Sequence, residues 1–310
     1  MKTAFLFPGQ GSQKPGLLHD LPETPAVQKV LTTISQLLDE DVFCFHTAEA
    51  LRSTKAVQLS LLIAGIATFK AFEEEGVKPD FVAGHSVGAF GAAVASGVID
   101  MEDAVELVEL RGELMENAYP EGYGMGVVLG LDEYDLQSII NQNNDEQYPV
   151  YLANKNSPDQ ITISGALSSI NNVLKGAEQK GARCTSLLNV SVPSHCSLLD
   201  SVAEELSNAL NKISFHKPLI PYVSNQSARL LYGPEDIRRD LAESVAHSVK
   251  WHDASSILYE KGARLFIEMP PGNVLARLAT KAFPGARVMS IADNGFADCL
   301  FMVEKEMQNG

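Results

Sequence analysis

Val82-Ala83-Gly84-His85-Ser86-Val87-Gly88-Ala89-Phe90 sets a short apolar run against a serine with a glycine two residues to either side, then enters an alanine-rich helical pattern. This is the pattern of a nucleophile elbow. A tight strand-to-helix turn lifts a serine hydroxyl clear of the backbone, and the glycines let strand and helix pass without clashing. The helix start also leaves N–H groups free, and the Val87 amide is expected to face an oxyanion formed on attack by Ser86. A bare G-x-S-x-G is equally the small-residue turn of an ordinary α/β fold, so the surrounding chain has to decide between the two.

Upstream, apolar residues fall at helical spacing from Pro25 to Leu38 and from Ala56 to Glu75. Lys78-Pro79-Asp80 breaks the second run just ahead of the elbow strand, the helix–strand–turn–helix order that a parallel sheet needs. The chain begins with a buried-strand pattern, Thr3 to Phe7, that runs into the glycine-rich loop Pro8-Gly9-Gln10-Gly11-Ser12-Gln13. Gly11 and Gly16 have the spacing of a phosphate-cradling loop, but Leu17-Leu18 stands where Lys-Ser/Thr is required, so that reading fails. By itself Gln10 is a turn amide.

Downstream, Asp100-Met101-Glu102-Asp103 opens a helix that carries Arg111 among Glu106, Glu109, Glu113 and Glu116, a spacing that reads as a solvated salt-bridge face. From Met125 to Val190 the pattern is strand, helix, strand, strand, helix, strand, with Asn154 to Pro158 as the turn between the middle strands. Ser191 to Cys196 is a proline-stiffened loop that brings in His195, the candidate base; Cys196 reads as packing. The last third returns to the α/β rhythm. The fold expected is a large α/β-hydrolase-like domain with a parallel sheet (residues 1–123 and 192–310) carrying a small inserted ferredoxin-like βαββαβ domain (124–191).

Composition narrows the functional class. The 310 residues, 45% of them hydrophobic, can bury a large core, and a net charge of −15 disfavours nucleic acid and requires local cations for any anionic ligand. No apolar run is expected to reach the roughly eighteen residues of a membrane span, and no basic-then-apolar signal opens the chain, so a cytoplasmic protein without a membrane partner is expected. Four scattered cysteines suggest neither zinc nor disulfides, and His247, Trp251 and His252 lack a third ligand, so no metal is expected.

Taken together, Phe7-Pro8-Gly9-Gln10-Gly11-Ser12-Gln13, Gly84-His85-Ser86-Val87-Gly88, Arg111-Gly112, Asn156-Ser157-Pro158, Val192-Pro193-Ser194-His195-Cys196 and Pro271-Gly272 resemble the malonyl-CoA:acyl carrier protein transacylases in order and spacing. The resemblance implies that Ser86 is acylated by the thioester and His195 is base and then acid. It further implies that Gln10 helps form the oxyanion hole, with Asn156 also at the substrate, and that Arg111 pairs with the malonyl carboxylate. No cofactor is implied. A backbone carbonyl orients the histidine in this family, and here it is expected from Val249-Lys250-Trp251. Ala89-Phe90, the stretch Ala246 to Asp253 and Glu268 to Gly272 resemble the transacylase (epsilon) subunit of malonate decarboxylase, which implies that complex's carrier subunit as acceptor, with a fatty-acid carrier as the alternative. Arg238, Arg239, Lys250, Arg277 and Lys281 are the candidate carrier-docking cations. A serine hydrolase would share Ser86 and His195 but gain nothing from Arg111.

Overall fold

The computed structural model describes residues 1–119, 121–143 and 145–308. The opening apolar run forms β1 (Lys2–Phe7), buried from Thr3 onward, as a central parallel strand covered on both faces must be. β1 lies between β2 (Phe81–Gly84), which ends in the elbow, and a strand from the last third, Ala263–Glu268. The small sheet interrupts the chain between them. It comprises β3 (Tyr123–Leu129), β4 (Val150–Ser157), β5 (Gln160–Ala166) and β6 (Cys184–Leu187). Next come β7 (Tyr222–Val223) and β8 (Leu230–Leu231), then β9, the Ala263–Glu268 strand, and β10 (Arg287–Ser290). The large sheet has the order β10-β9-β1-β2-β7-β8, parallel except for the edge strand β8. Two residues are too few to leave a period in the sequence, and β8 was not anticipated.

The helices have local causes. α1 (Pro25–Leu38) matches the expected bounds because Pro25 pre-sets the first turn and Thr24 Oγ1 accepts the Val27 amide at 3.3 Å. α2 (Thr54–Glu74) is capped by Ser53 and is buried on almost every face. The expectation that no stretch reaches membrane-spanning length is corrected here: α2 is long and apolar enough, with a mean hydropathy of 1.4 in its most apolar window, but 89% of that window is buried inside the protein. It is the core helix, packed by α1, by α3 (Gly88–Ala95) and by α4 (Met101–Ala118). Fully burying Leu59, Ile63, Ile66 and Phe72 stabilises the fold by about 1.5–3 kcal/mol each.

The small sheet has the order β4-β5-β3-β6 with every neighbour antiparallel, and α5 (Glu133–Asn143) and α6 (Leu167–Lys180) cover it. That is the ferredoxin-like βαββαβ arrangement expected, with its own core of Val128, Leu136, Ile163 and Val173. One expectation fails locally. Asn154 to Ser157 continue β4 rather than forming a turn, because Asn154 and Lys155 pair with Thr162 and Ile161. The opposite edge of β4 is also used: Lys155 N donates to Val249 O at 2.8 Å and Val249 N to Ala153 O at 2.9 Å, which ties the small sheet to the large one.

After β6 come α7 (Asp200–Leu210), α8 (Pro234–Glu243), α9 (Trp251–Glu260), α10 (Val274–Ala282) and α11 (Ile291–Gln308). β1, β2, β7 and β9 all point their carboxyl ends at one seam, where the small sheet covers the large one. Open parallel sheets bind ligands at such ends.

Candidate active site

The elbow forms only because of its glycines. A Cβ on Gly84 would overlap the Gly88 carbonyl, and one on Gly88 would overlap the Phe7 carbonyl. With both absent, Ser86 sits at φ 54°, in the left-handed region that raises its hydroxyl above the turn. Val87 opens α3 directly behind it, so its first-turn amide has no acceptor within the helix.

His195 reaches Ser86 across 109 residues of sequence: its Nε2 lies 2.8 Å from Ser86 Oγ. Its Nδ1 lies 2.6 Å from the carbonyl oxygen of Ser244, which can only accept, so Nδ1 carries the proton and Nε2 is free to take one from serine. The expected position of that carbonyl is corrected. It is supplied by Ser244, where α8 ends, and not by Val249-Lys250-Trp251, whose polar groups are spent on β4 and on Asn225. Burial first, and the Arg111 charge second, hold His195 at about 3, so the resting imidazole is neutral.

Arg111 overturns the solvated reading of its helix: it is 0% exposed. The glutamates around it are used elsewhere, Glu109 and Glu113 by Lys55 and Glu116 by the Ser53 hydroxyl. Gly112 explains the placement, because a Cβ there would strike Lys55 Cα; its absence lets α4 close onto α2. Arg111 Nη1 donates to Gln58 Oε1 at 2.5 Å and Nη2 to Ser86 Oγ at 3.3 Å, while Nε has no partner. Among the described residues no carboxylate pairs with it. Burial lowers it to about 10, so it remains a cation at neutral pH. A buried cation without a counter-charge, beside the nucleophile, is a place for an anionic substrate group.

Gln10 lies at the same point, its Oε1 3.5 Å from Gln58 Nε2. Asn156 does not reach the serine; its Oδ1 accepts from His85 Nε2 at 3.0 Å, and both line a groove of about 290 Å³ with Gln10, Gly11, Leu188 and Val274. One wall of this groove is α10, whose first turn is capped by Glu268: Ala276 N donates to Glu268 Oε2 at 2.6 Å. Burial pushes the Glu268 carboxyl up to about 7, and its Oε1 has no partner. Of the candidate docking cations, Arg277 and Lys281 stand on α10 and Lys250 precedes α9, whereas Arg238 is folded over the Phe215 ring and onto the Ile213 carbonyl. Gln58, Asn225 and Ser244 were missed. Gln58 falls at core spacing on α2, and the other two act only through partners far away in the chain.

A serine hydroxyl against a neutral imidazole is the arrangement that acyl transfer through a serine needs. The acyl transferase domain family matches residues 4–294. The malonyl CoA-acyl carrier protein transacylase of Bacillus subtilis is 35% identical over 297 residues, covering 94% of each chain. The chain belongs to the malonyl-CoA:acyl carrier protein transacylase family. By that membership it is an enzyme of the S-malonyltransferase class. The structure of the malonyl CoA-acyl carrier protein transacylase from Coxiella burnetii is similar with a TM-score of 0.93 at 33% identity, covering 98% of both chains. A type II PKS acyl-carrier protein in complex with its malonyl-transacylase gives 0.92 at 34%, covering 98% of this chain and all of that one. None of these family members is a malonate decarboxylase subunit, so that finer assignment rests on the sequence features alone.

Proposed function

We propose that the protein moves a malonyl group from malonyl-CoA to the thiol of an acyl carrier protein through a malonyl ester on Ser86. The observation that carries this reading is Arg111, a fully buried cation that no carboxylate pairs with among the described residues, 3.3 Å from Ser86 Oγ. A planar guanidinium can take a carboxylate on two oxygens, and malonyl differs from acetyl by that carboxylate.

In the first half-reaction Ser86 Oγ attacks the thioester carbonyl as its proton passes to His195 Nε2. Negative charge collects on the carbonyl oxygen, where the Val87 amide and the Gln10 loop are the donors at hand. The carbon–sulfur bond breaks, and the imidazolium returns its proton to the departing CoA sulfur. In the second half-reaction the carrier thiol gives its proton to His195, its sulfur attacks the ester, and Ser86 leaves with the proton. Serine and imidazole suffice, so the proposed chemistry uses no metal or redox cofactor. The groove past His85 and Asn156 is the path for the thiol-bearing arm of both substrates.

For the acceptor, the names of the relatives favour a general acyl carrier protein of the fatty-acid type over the malonate decarboxylase carrier. Of the features that suggested the decarboxylase subunit, Ala89, Phe90, Glu268 and Met269 are 0% exposed and report core packing, whereas the stretch Ala246 to Asp253 brings His247 and Asp253 to the surface. A cytoplasmic location follows from that pairing. Intact mass measurement after malonyl-CoA alone, then after adding each carrier, tests the proposal. A malonyl adduct that maps to Ser86 and passes to the fatty-acid carrier supports it; faster transfer to the decarboxylase carrier reverses the acceptor, and continuous CoA release without a carrier makes the protein a hydrolase.

A further inference from the structure

Ser86 and His195 are both non-glycine residues in the left-handed region, at φ 54° and 65°. Such residues hold only where the surroundings over-determine them, at a cost of about 1–3 kcal/mol each. Both backbones are held by one segment. His195 N donates to Val245 O at 2.8 Å, and Ser86 N to the side chain of Asn225, at Oδ1, at 3.0 Å.

Asn225 does more than accept. Its Nδ2 donates to Gly84 O at 2.8 Å, so one amide spans the elbow from the residue before His85 to the residue after it. β7 pairs with β2 only at Val82–Tyr222 and Ala83–Val223, and the Asn225 side chain continues the ladder where the strand ends. The amide is itself fixed. Asn225 O accepts Lys250 N at 2.8 Å, and Asn225 N donates to Asp240 Oδ2 at 3.2 Å.

Asp240, 3% exposed on α8, gathers three further donors: Tyr222 OH at 2.8 Å, Ser224 Oγ at 2.5 Å and Gln226 N at 3.3 Å. One helical turn later, Ser244 N donates back to Asp240 O at 3.0 Å, and Ser244 O receives His195 Nδ1. The carboxylate therefore seats the serine clamp, and it does so from the helix whose last carbonyl orients the histidine.

We infer that Asn225, seated by Asp240, is a positioning residue that sets the separation of Ser86 Oγ and His195 Nε2, and that this pair couples nucleophile to base. The inference rests on the acyl-serine chemistry proposed above. Neither residue lines the groove beside the site, so the effect belongs in kcat and not in substrate binding.

The test compares wild type, Asn225→Ala and Asp240→Asn, each shown folded by its thermal transition and measured well below it. Malonyl-enzyme formation is followed by quenched-flow mass measurement, and labelling by a serine-directed fluorophosphonate is followed in parallel. Asn225→Ala should lower the acylation kcat and the labelling rate together, on the order of 10–100-fold, as an ångström of misplacement does, with KM and malonyl-over-acetyl preference near wild type. Asp240→Asn should lower both several-fold in the same way, and it carries the test if Asn225→Ala does not fold. Rates within twofold of wild type, or a loss confined to KM, would overturn the inference. Absence of a malonyl adduct in the wild-type protein would sink the proposed function instead, and the labelling rates would still decide the positioning.

Discussion

Replacing Arg111 by alanine removes the one cation that, among the described residues, hydrogen-bonds Ser86. An anionic substrate group brought to about 4 Å from the guanidinium gains about 4 kcal/mol at the effective dielectric of a protein site. Breaking one partner from a buried ion pair costs about 3–5 kcal/mol, so kcat/KM for malonyl-CoA should fall on the order of 10²–10⁴-fold. Acetyl-CoA has no carboxylate to strand. It loses only the hydrogen bonds Arg111 makes within the protein, from Nη1 to Gln58 Oε1 and the long one of 3.3 Å from Nη2 to Ser86 Oγ, and its kcat/KM should stay within about tenfold of wild type. The malonyl/acetyl ratio, measured by CoA release with each thioester, should therefore collapse. The acid limb should also move: without the Arg111 charge, burial and the smaller effect of His85 still depress His195, but it rises from about 3 and protonation sets in at higher pH. Arg111→Lys should restore only part of the preference, since a point charge lacks the two-pronged geometry. Arg111→Met should raise Tm, because a buried cation without a partner is traded for apolar packing. Equal losses for the two thioesters in a folded Arg111→Ala protein would refute this reasoning.

Ser86→Ala should abolish the malonyl adduct in intact mass spectra while leaving Tm close to wild type; an adduct that persisted on Cys196 would move the nucleophile. His195 is held far below its unfolded value of 6.5, so the unfolded chain binds the extra proton and stability should fall as pH drops from 6.5 towards 3; a His195→Gln protein, followed by thermal melts, should lose less over that window. Glu268 runs the other way, raised from 4.5 to about 7, so its burial costs most above neutrality, and the Tm advantage of Glu268→Gln over wild type should widen between pH 5 and pH 8. Transfer to an acidic carrier should weaken with added salt, and Arg277→Glu with Lys281→Glu should slow it at low salt and flatten that dependence; salt-independent transfer in the wild type would remove α10 from the docking surface.

What could be read from the chain were the features with local causes. Pro25 and Thr24 place the start of α1, Asp100 with its acidic followers places α4, and the glycines around Ser86 mark the elbow because no other residue fits between Gly88 and Phe7. The βαββαβ order was legible because its strands and helices change period cleanly. The burial of Arg111 was not. Four glutamates at helical spacing describe an exposed face until Lys55, brought across from α2, takes two of them and the Gly112 gap lets the helices close. Ser244 was missed for a related reason: which carbonyl faces His195 depends on where α8 ends relative to a loop some fifty residues earlier in the chain. Family resemblance supplied roles for Ser86, His195, Gln10 and Arg111, while Gln58 and Asn225, which hold two of them in place, left no mark in any motif considered.

The fold divides the labour of the site between its sheets. The elements around Ser86 come from the carboxyl ends of the large parallel sheet: the Gln10 loop leaves β1, the elbow leaves β2, Asn225 follows β7 and the Glu268-capped helix follows β9. The small antiparallel sheet contributes the wall that a long thioester arm would touch, through Val127, Leu129, Asn156 and Thr162. The two are joined where Val249 bridges Ala153 and Lys155, and the next residue, Lys250, donates to the Asn225 carbonyl. A rocking of the small sheet that widened the groove would therefore pull on the segment that holds Ser86 before it reached Arg111, which is anchored between α2 and α4. The groove wall and the serine clamp share a mechanical link through Val249 and Lys250, whereas Arg111, to which the proposed function gives the carboxylate, is held by the core helices.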